Sequence, residues 1–427
     1  MGRFLKKKLG FIIILIIILV FPISLSNQAR LNTRVIITGL AIDKVDDKYE
    51  VTAQIVKTSP GTESAGSGAE VNFVTDNDET MVGALAKLTY KAGKVSAFSH
   101  TSFIILGREL LNEDLTEVLD YFVRNKTINS SALLLFAEEK AADELEKTKD
   151  VELSVGIGLQ KVFLFKEIEG DGEMTTVLNF LKHCKGNSKT ATASTLKLMK
   201  NEDGKMSTNS ASKDEKSSEE SQSSSSGESS NGSSGGDSQE SGTSSGSDYQ
   251  YFEALSSIVC CVDGKYVGKL ETTDEIIGYM LTKDESKSED LSIENVSAGR
   301  LDNAKIGIRI NHKHVNKKIR FENGIPCLDV IVYVNNAEIE DLRNKSMIGE
   351  LSEEEYNKIK KSIKEDVSNK VSKCFEKSQQ LNADIFGAYD LAIKFHYLHT
   401  TRLYNGLNEF LKDLKLNVQV EVVRLDY

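Results

Sequence analysis

Hydrophobic and polar positions follow three distinct patterns along this chain. From Leu9 to Leu25 there is almost no polar position, and Phe11 to Phe21 is wholly aliphatic or aromatic. A spanning helix needs about 20 apolar residues and a signal-peptide core about 7 to 15, so this run lies between the two and nearer the helix. Arg3, Lys6, Lys7 and Lys8 precede it and few charges follow, which places the N-terminus inside and the rest of the chain outside the cytoplasm. Small residues for cleavage occur at Ser24-Leu25-Ser26 and, less well, at Asn27-Gln28-Ala29. An uncleaved anchor over residues 1–29 is the expectation, with a cleaved signal as the alternative. No cysteine follows the run, so no lipid can be attached there.

The second pattern is short apolar runs mixed with helical spacing, over residues 30–198. Val35 to Asp43 reads as a buried strand, Asp46-Asp47 as a turn, and Tyr49 to Val56 as the returning strand of a hairpin. Pro60 to Ser67 is a loop. Met81, Leu85 and Leu88 predict a helix over Asp78–Tyr90, capped by Asp78 or Thr80. Leu115, Val118, Leu119 and Phe122 predict another over Asp114–Val123. Ser102–Leu106 and Ala132–Ala137 read as strands, and Glu138–Lys147 as a helix.

Residues 199–249 form a Ser/Gly-rich, charged segment almost free of large apolar side chains. Such a composition cannot bury enough surface to offset its ordering entropy, so a disordered linker is expected. Beyond it, Phe252–Val262 reads as a buried strand, Asp263-Gly264-Lys265 as a tight turn, and Tyr266–Leu270 as its partner. A helix begins at Thr273, with Thr273 or Asp274 as its cap. The third pattern, period-two alternation, then marks strands at Leu291–Ser297, Ala304–Ile310, His314–Glu322 and Cys327–Val334, antiparallel in character. Ser352 and Glu355 form a capping box ahead of a long helix to Leu381, whose apolar stripe is Tyr356, Ile359, Ile363, Val367 and Val371. A helix over Ala388–Leu398, more helix around Asn405–Phe410 and a strand over Leu416–Leu425 close the chain. The expected class is α+β: an anchor, then about three α/β domains with mixed or antiparallel sheets, at 30–198, 250–300 and 301–427.

Charge and chemistry narrow the function. A formal charge of −11 over 427 residues argues against a nucleic-acid partner, which would call for a basic face. Cys184, Cys260, Cys261, Cys327 and Cys374 are odd in number and scattered, with no C-x-x-C pair, so burial is expected rather than zinc, redox chemistry or a disulfide framework. Nucleophile-elbow, phosphate-loop, dinucleotide and zinc-protease motifs are all missing. His312 and His314 share a strand face, but Lys317 and Lys318 follow, and a solvated face is the expectation. His396 and His399 could meet one ligand from a helix; a packing or surface role is favoured. Glu353-Glu354-Glu355 suits the positive end of a helix rather than acid–base chemistry. No catalytic, cofactor, metal or lipidation residue is nominated, and a binding or scaffolding protein is expected rather than an enzyme.

Four stretches together resemble the Ger(x)C (GerAC-like) family, the C subunits of spore germinant receptors in endospore-forming Firmicutes. They are the hairpin "VIITGLAIDKVDDKYEVTAQIVKTS" with Asp43 closing its first strand, and "GKVSAFSHTSFIILGRELLNEDLTEVLDYFVRN" with His100, Ile104–Gly107 and Arg124. The others are "VDGKYVGKLETTDEIIGYML" and "KVSKCFEKSQQLNADIFGAYDLAIKFHY", the last carrying Asp384-Ile385-Phe386-Gly387. The resemblance implies a three-domain α/β subunit on the outer face of the inner spore membrane. It implies integral-membrane germinant receptor subunits as partners in nutrient sensing, and no catalytic residues. From the residues themselves, Asp384–Gly387 reads as a helix C-terminus and turn, Gly387 allowing a positive φ. The chain departs from the family pattern in having no lipobox cysteine near Ser26–Gln28, no Trp, and a long Ser/Gly-rich insertion. A membrane-anchored solute- or cell-wall-binding protein unrelated to germination is the alternative.

Overall fold

The computed structural model describes residues 34–57, 70–147, 172–197, 257–283, 288–345 and 351–426. The expected anchor, the loop at 60–67 and the Ser/Gly-rich segment lie outside the described residues. Among the described residues no helix is long and apolar enough to cross a membrane.

The first hairpin is β1 (Arg34–Val45) and β2 (Lys48–Lys57), joined by Asp46 and Asp47, both at positive φ (48° and 60°). A two-residue turn with both φ positive matches the right-handed twist of the strands, which explains the Asp-Asp pair. β3 (Glu70–Asp78) adds antiparallel to β2. Helix α1 (Met81–Ala92) is capped by Thr80, whose hydroxyl accepts from the Gly83 N–H. It leads through β4 (Val95–Ala97) to β5 (Phe103–Leu106), both parallel to β1. α2 (Leu115–Arg124), capped by Asp114, leads to β6 (Leu133–Ala137). α3 (Ala141–Lys147), α4 (Val177–Cys184) and β7 (Thr190–Leu196) follow.

Two strands beyond the Ser/Gly-rich segment complete this sheet. β8 (Ile258–Val262) pairs antiparallel with β7, and β9 (Lys265–Leu270) with β8. Among the described residues the sheet has nine strands, in the order β3-β2-β1-β5-β6-β7-β8-β9 with β4 beside β1. The stretch expected as a middle domain is thus divided: β8 and β9 extend the first sheet, and β10 (Glu289–Ala298) begins a second. Between them α5 (Thr273–Leu281) is capped by Thr272, one residue before the expected cap. Only Thr272 lies three residues before Glu275, the spacing that lets each side chain reach the other's backbone N–H.

The second sheet is mixed, as expected. β10, β11 (Leu301–Glu322) and β12 (Ile325–Lys345) are antiparallel, and β13 (Lys415–Val422) and β14 (Leu425–Asp426) run parallel to β12. The two strands expected at 304–310 and 314–322 are one: bulges around His312 change the phase of alternation while pairing with β12 continues. The single strand expected at the C-terminus is instead split into β13 and β14. α6 (Glu353–Gln380), α7 (Ala388–Leu403) and α8 (Leu407–Asp413) pack with this sheet. α6 starts at the expected capping box, and its Glu355 also receives the Arg300 guanidinium and N–H. Those donors, with the Ser352 N–H, hold the buried Glu355 carboxyl down at about 2.

Three apolar clusters follow from these layers. One face of the first sheet carries α1, α2 and α4. On the other, α3 covers residues of β1, β5 and β6. The third cluster lies between the second sheet, α5 and α6, and takes in Ile258 and Cys260 of β8. Val259 and Cys261 of the same strand point into the first cluster. All five cysteines are free and buried, as their apolar neighbourhoods suggest.

Candidate functional site

A polar cleft of ≈ 560 Å³ opens where the N-terminal end of β7 meets α5, β11 and the turn before α7. Its wall from the first sheet carries His183, Ser188, Thr190 and Thr192; the opposite wall carries Tyr279, Lys283, Lys317 and Asp384–Gly387.

Beside the cleft lies a chain of buried polar groups. Thr192 and Tyr279 hydroxyls are 2.8 Å apart, and the Tyr279 hydroxyl donates to Glu173 Oε1 at 2.9 Å. Lys283 Nζ donates to the same oxygen at 2.8 Å and lies 4.7 Å from the Tyr279 ring centre. Burial alone would raise the Glu173 pKa, but the Lys283 charge and these hydrogen bonds outweigh it and hold it below the usual carboxylate value. Burial would likewise discharge Lys283, and the Glu173 carboxylate overrides it, holding the ammonium above its ordinary range. The pair is therefore ionic, and the Tyr279 phenol beside it is pushed up by burial and by Glu173. Burial, then the nearby Lys283, lowers the His183 pKa, so that ring is neutral near pH 7.

The Asp384–Gly387 turn forms the far rim. Asp384 is buried, and its two carboxylate oxygens accept from the Ala388 and Tyr389 N–H groups at 2.8 and 2.7 Å. Gly387 stands at φ 71°, the left-handed turn expected of it. The segment does more than end α6, because it caps the next helix, α7. Its backbone also crosses the seam, the Asp384 N–H donating to Thr190 Oγ1 at 3.0 Å. Two residues away, Ser188 donates through its N–H and hydroxyl to Asp390 at 3.1 and 2.9 Å. Burial raises the Asp384 carboxyl to about 6 despite its two N–H donors. Phe386 packs edge-on against Phe375 of α6, and its carbonyl accepts from Lys317.

Asp43 plays the same part at a second depression, of ≈ 820 Å³, beside the C-terminal ends of β1 and β6. Its oxygens accept from Ala141 and Ala142 N–H at 2.8 and 2.9 Å and so cap α3. Gly107, the glycine of the "IILG" stretch, leaves the room: a Cβ there would lie 2.0 Å from Asp43 Oδ1. Both aspartates singled out in the sequence therefore hold helix starts.

His312 and His314 are exposed on either side of buried Lys313, with His314 stacked on Tyr333 at 6.2 Å. His396 and His399 meet the same neighbour, the Phe321 ring, at 5.6 and 4.5 Å, and His396 Nε2 lies 3.2 Å from the Ile319 carbonyl. Among the described residues no cluster of three His, Cys, Asp or Glu is placed to hold a metal. Glu173, Tyr279 and Lys283 carried no sequence signal: Glu173 has no periodic neighbours, and it lies 110 residues from Lys283.

Residues 27–198 match the family described as the spore germination protein N-terminal domain. Residues 258–424 match the spore germination B3/GerAC-like C-terminal domain. The two matches lie in order on either side of the Ser/Gly-rich segment. The chain belongs to the Ger(x)C family. Among its Ger(x)C relatives is spore germination protein B3 of Bacillus subtilis (strain 168), 32% identical over 112 residues, 26% of this chain and 29% of the relative. The chain thus matches less than a third of that relative's length. The crystal structure of the GerBC protein aligns over 90% of this chain and 96% of its own, with 15% identity and a TM-score of 0.47.

Proposed function

We propose that this chain is the non-enzymatic subunit of a nutrient-germinant receptor complex and acts in spore germination. The observation that carries this reading is the ordered pair of Ger(x)C matches, which together take in both sheets. In this reading Leu9–Leu25 tethers the chain to the membrane, the folded part stands on the outer face of the inner spore membrane, and integral-membrane receptor subunits are its partners. The Ser/Gly-rich segment joins an N-terminal domain to the rest. The polar cleft supports a binding role over a chemical one: its carboxylates are engaged by backbone N–H groups, a lysine or serine. Pull-down of the full chain from spore membranes tests this. Co-purification of two membrane subunits is expected, together with loss of nutrient-triggered germination on gene deletion. Normal germination of the deletion strain in every nutrient would sink it.

The same cleft also suits a second reading, an anchored solute- or cell-wall-binding protein unrelated to germination. Binding of a small molecule or glycan by the detergent-solubilised chain, with no membrane subunits co-purifying, would favour that one.

A further inference from the structure

Several exposed apolar side chains gather at one place that the cleft does not use. Phe395, Tyr397 and Leu398 are 64%, 59% and 73% exposed, although a helix packed on a sheet ordinarily turns such residues inward. The cause is local. α7 kinks at His396 (φ −134°, ψ 35°), and every residue from Lys394 to His399 is exposed. The kink is pinned rather than loose: His396 and His399 clasp the Phe321 ring, and the Tyr404 hydroxyl donates to the Gly324 carbonyl at 3.2 Å. That bond brings the β11–β12 turn alongside, adding Ile325 and Leu403, both partly exposed.

The charge of this knob runs against that of the protein. The chain carries 64 acidic residues and a net charge of −11. From Leu391 to Asn408 there is no Asp or Glu, while Lys394, Arg402 and both histidines lie there. Lys394 folds over the Phe395 ring at 5.0 Å, the posture of a lysine whose stem covers apolar surface while its head seeks an anion. Glu322 at the neighbouring turn is neutralised by Arg320. Exposed aromatic and aliphatic side chains with interspersed cations fit an anionic lipid surface, where the apolar groups enter the headgroup boundary and the cations meet phosphates.

We propose that the α7 kink, with the adjoining β11–β12 turn, docks onto the anionic surface of a lipid bilayer. The proposal rests on the reading that Leu9–Leu25 tethers the chain, which holds the folded part within reach of a bilayer. Phe395 and Leu398 insert, and Lys394 and Arg402 pair with headgroup phosphates.

The full-length chain provides the test, because its native cysteines are all buried and Leu398→Cys adds an exposed thiol. A nitroxide there is read in phosphatidylcholine vesicles with and without phosphatidylglycerol, and Asp47→Cys on the first hairpin serves as control. With phosphatidylglycerol, access of an aqueous nickel relaxant to the Leu398 label should fall severalfold and access of oxygen should rise, with the Asp47 label unchanged. Full-length F395E should leave the chain on the vesicles yet restore relaxant access at the Leu398 label. Co-flotation of the chain with the Leu398 label still open to nickel overturns the docking and leaves the tether standing. Flotation only on anionic vesicles, lost with F395E, supports the docking and overturns the tether. Failure to float on either vesicle overturns both. Protection at Leu398 without vesicles, growing with protein concentration, overturns the proposal in favour of a second copy of the chain.

Discussion

Lys283 Nζ lies 2.8 Å from Glu173 Oε1, and the two side chains are only 24% and 10% exposed. Removing one partner of a buried pair leaves the other charge uncompensated, which costs about 3 kcal/mol. Glu173→Gln should lower unfolding stability in urea by about that amount, and Glu173→Gln with Lys283→Met should recover much of it. The pH window follows from the two shifts. Glu173 is depressed, so its contribution holds above the unfolded value of about 4.3 and is lost as pH falls through the lower folded value. Lys283 is raised, so its contribution holds below about 10.4 and is lost as pH rises through the higher folded value.

Asp384 has the opposite sign. Its folded value of about 6 exceeds the unfolded value, so its contribution is full below about 3.9 and is lost as pH rises through 6. An Asn at this position does not titrate, although it weakens one of the two N–H caps. The stability difference between wild type and Asp384→Asn should therefore shift by about 2–3 kcal/mol between pH 4 and pH 7, in favour of the variant at the higher pH. Parallel pH profiles for the two proteins would refute this.

Gly278 marks the closest approach of α5 and α6. A Cβ there would lie 2.2 Å from the Lys370 carbonyl oxygen, a backbone atom that cannot turn aside. Alanine favours a helix over glycine by about 0.8–1 kcal/mol, but overpacking costs about 1–3 kcal/mol or more. Gly278→Ala should thus destabilise despite its better propensity, which thermal unfolding would read as a lowered Tm.

The five cysteines should be inert while the protein is folded. Burial raises the Cys184 thiol to about 11 and the Cys260 thiol to about 12, leaving little of the thiolate that reacts. An aromatic disulfide reagent should label no native thiol quickly and five in denaturant. Rapid labelling of any one in the native protein would contradict the burial.

The sequence made the local parts of the fold readable and left the non-local ones hidden. Ser352 with Glu355, and Asp46-Asp47, act through neighbours a few residues away, and their spacing declares them. β7 did not declare itself, because Thr-Ala-Thr-Ala-Ser-Thr-Leu offers little apolar contrast although the whole strand is buried. Its pairing with β8 joins residues on opposite sides of the Ser/Gly-rich segment, which no periodicity can express. Asp384 was legible as part of a turn with Gly387. Its partners Ala388 and Tyr389 are nearby, but the seam to Thr190 spans 194 residues.

β8 gives this architecture an unusual safeguard. A strand with one buried face can slip by two residues and still offer hydrophobic side chains to its core. Here Ile258 and Cys260 answer to one core and Val259 and Cys261 to another. A slip by one residue would exchange the contents of both at once. A slip by two would bring Val262, next to the Asp263 turn, opposite Thr192 and move Ile258 from Ser194 to Leu196, the last residue of β7. The register of the strand is thus read by two cores at once, one on each of its faces.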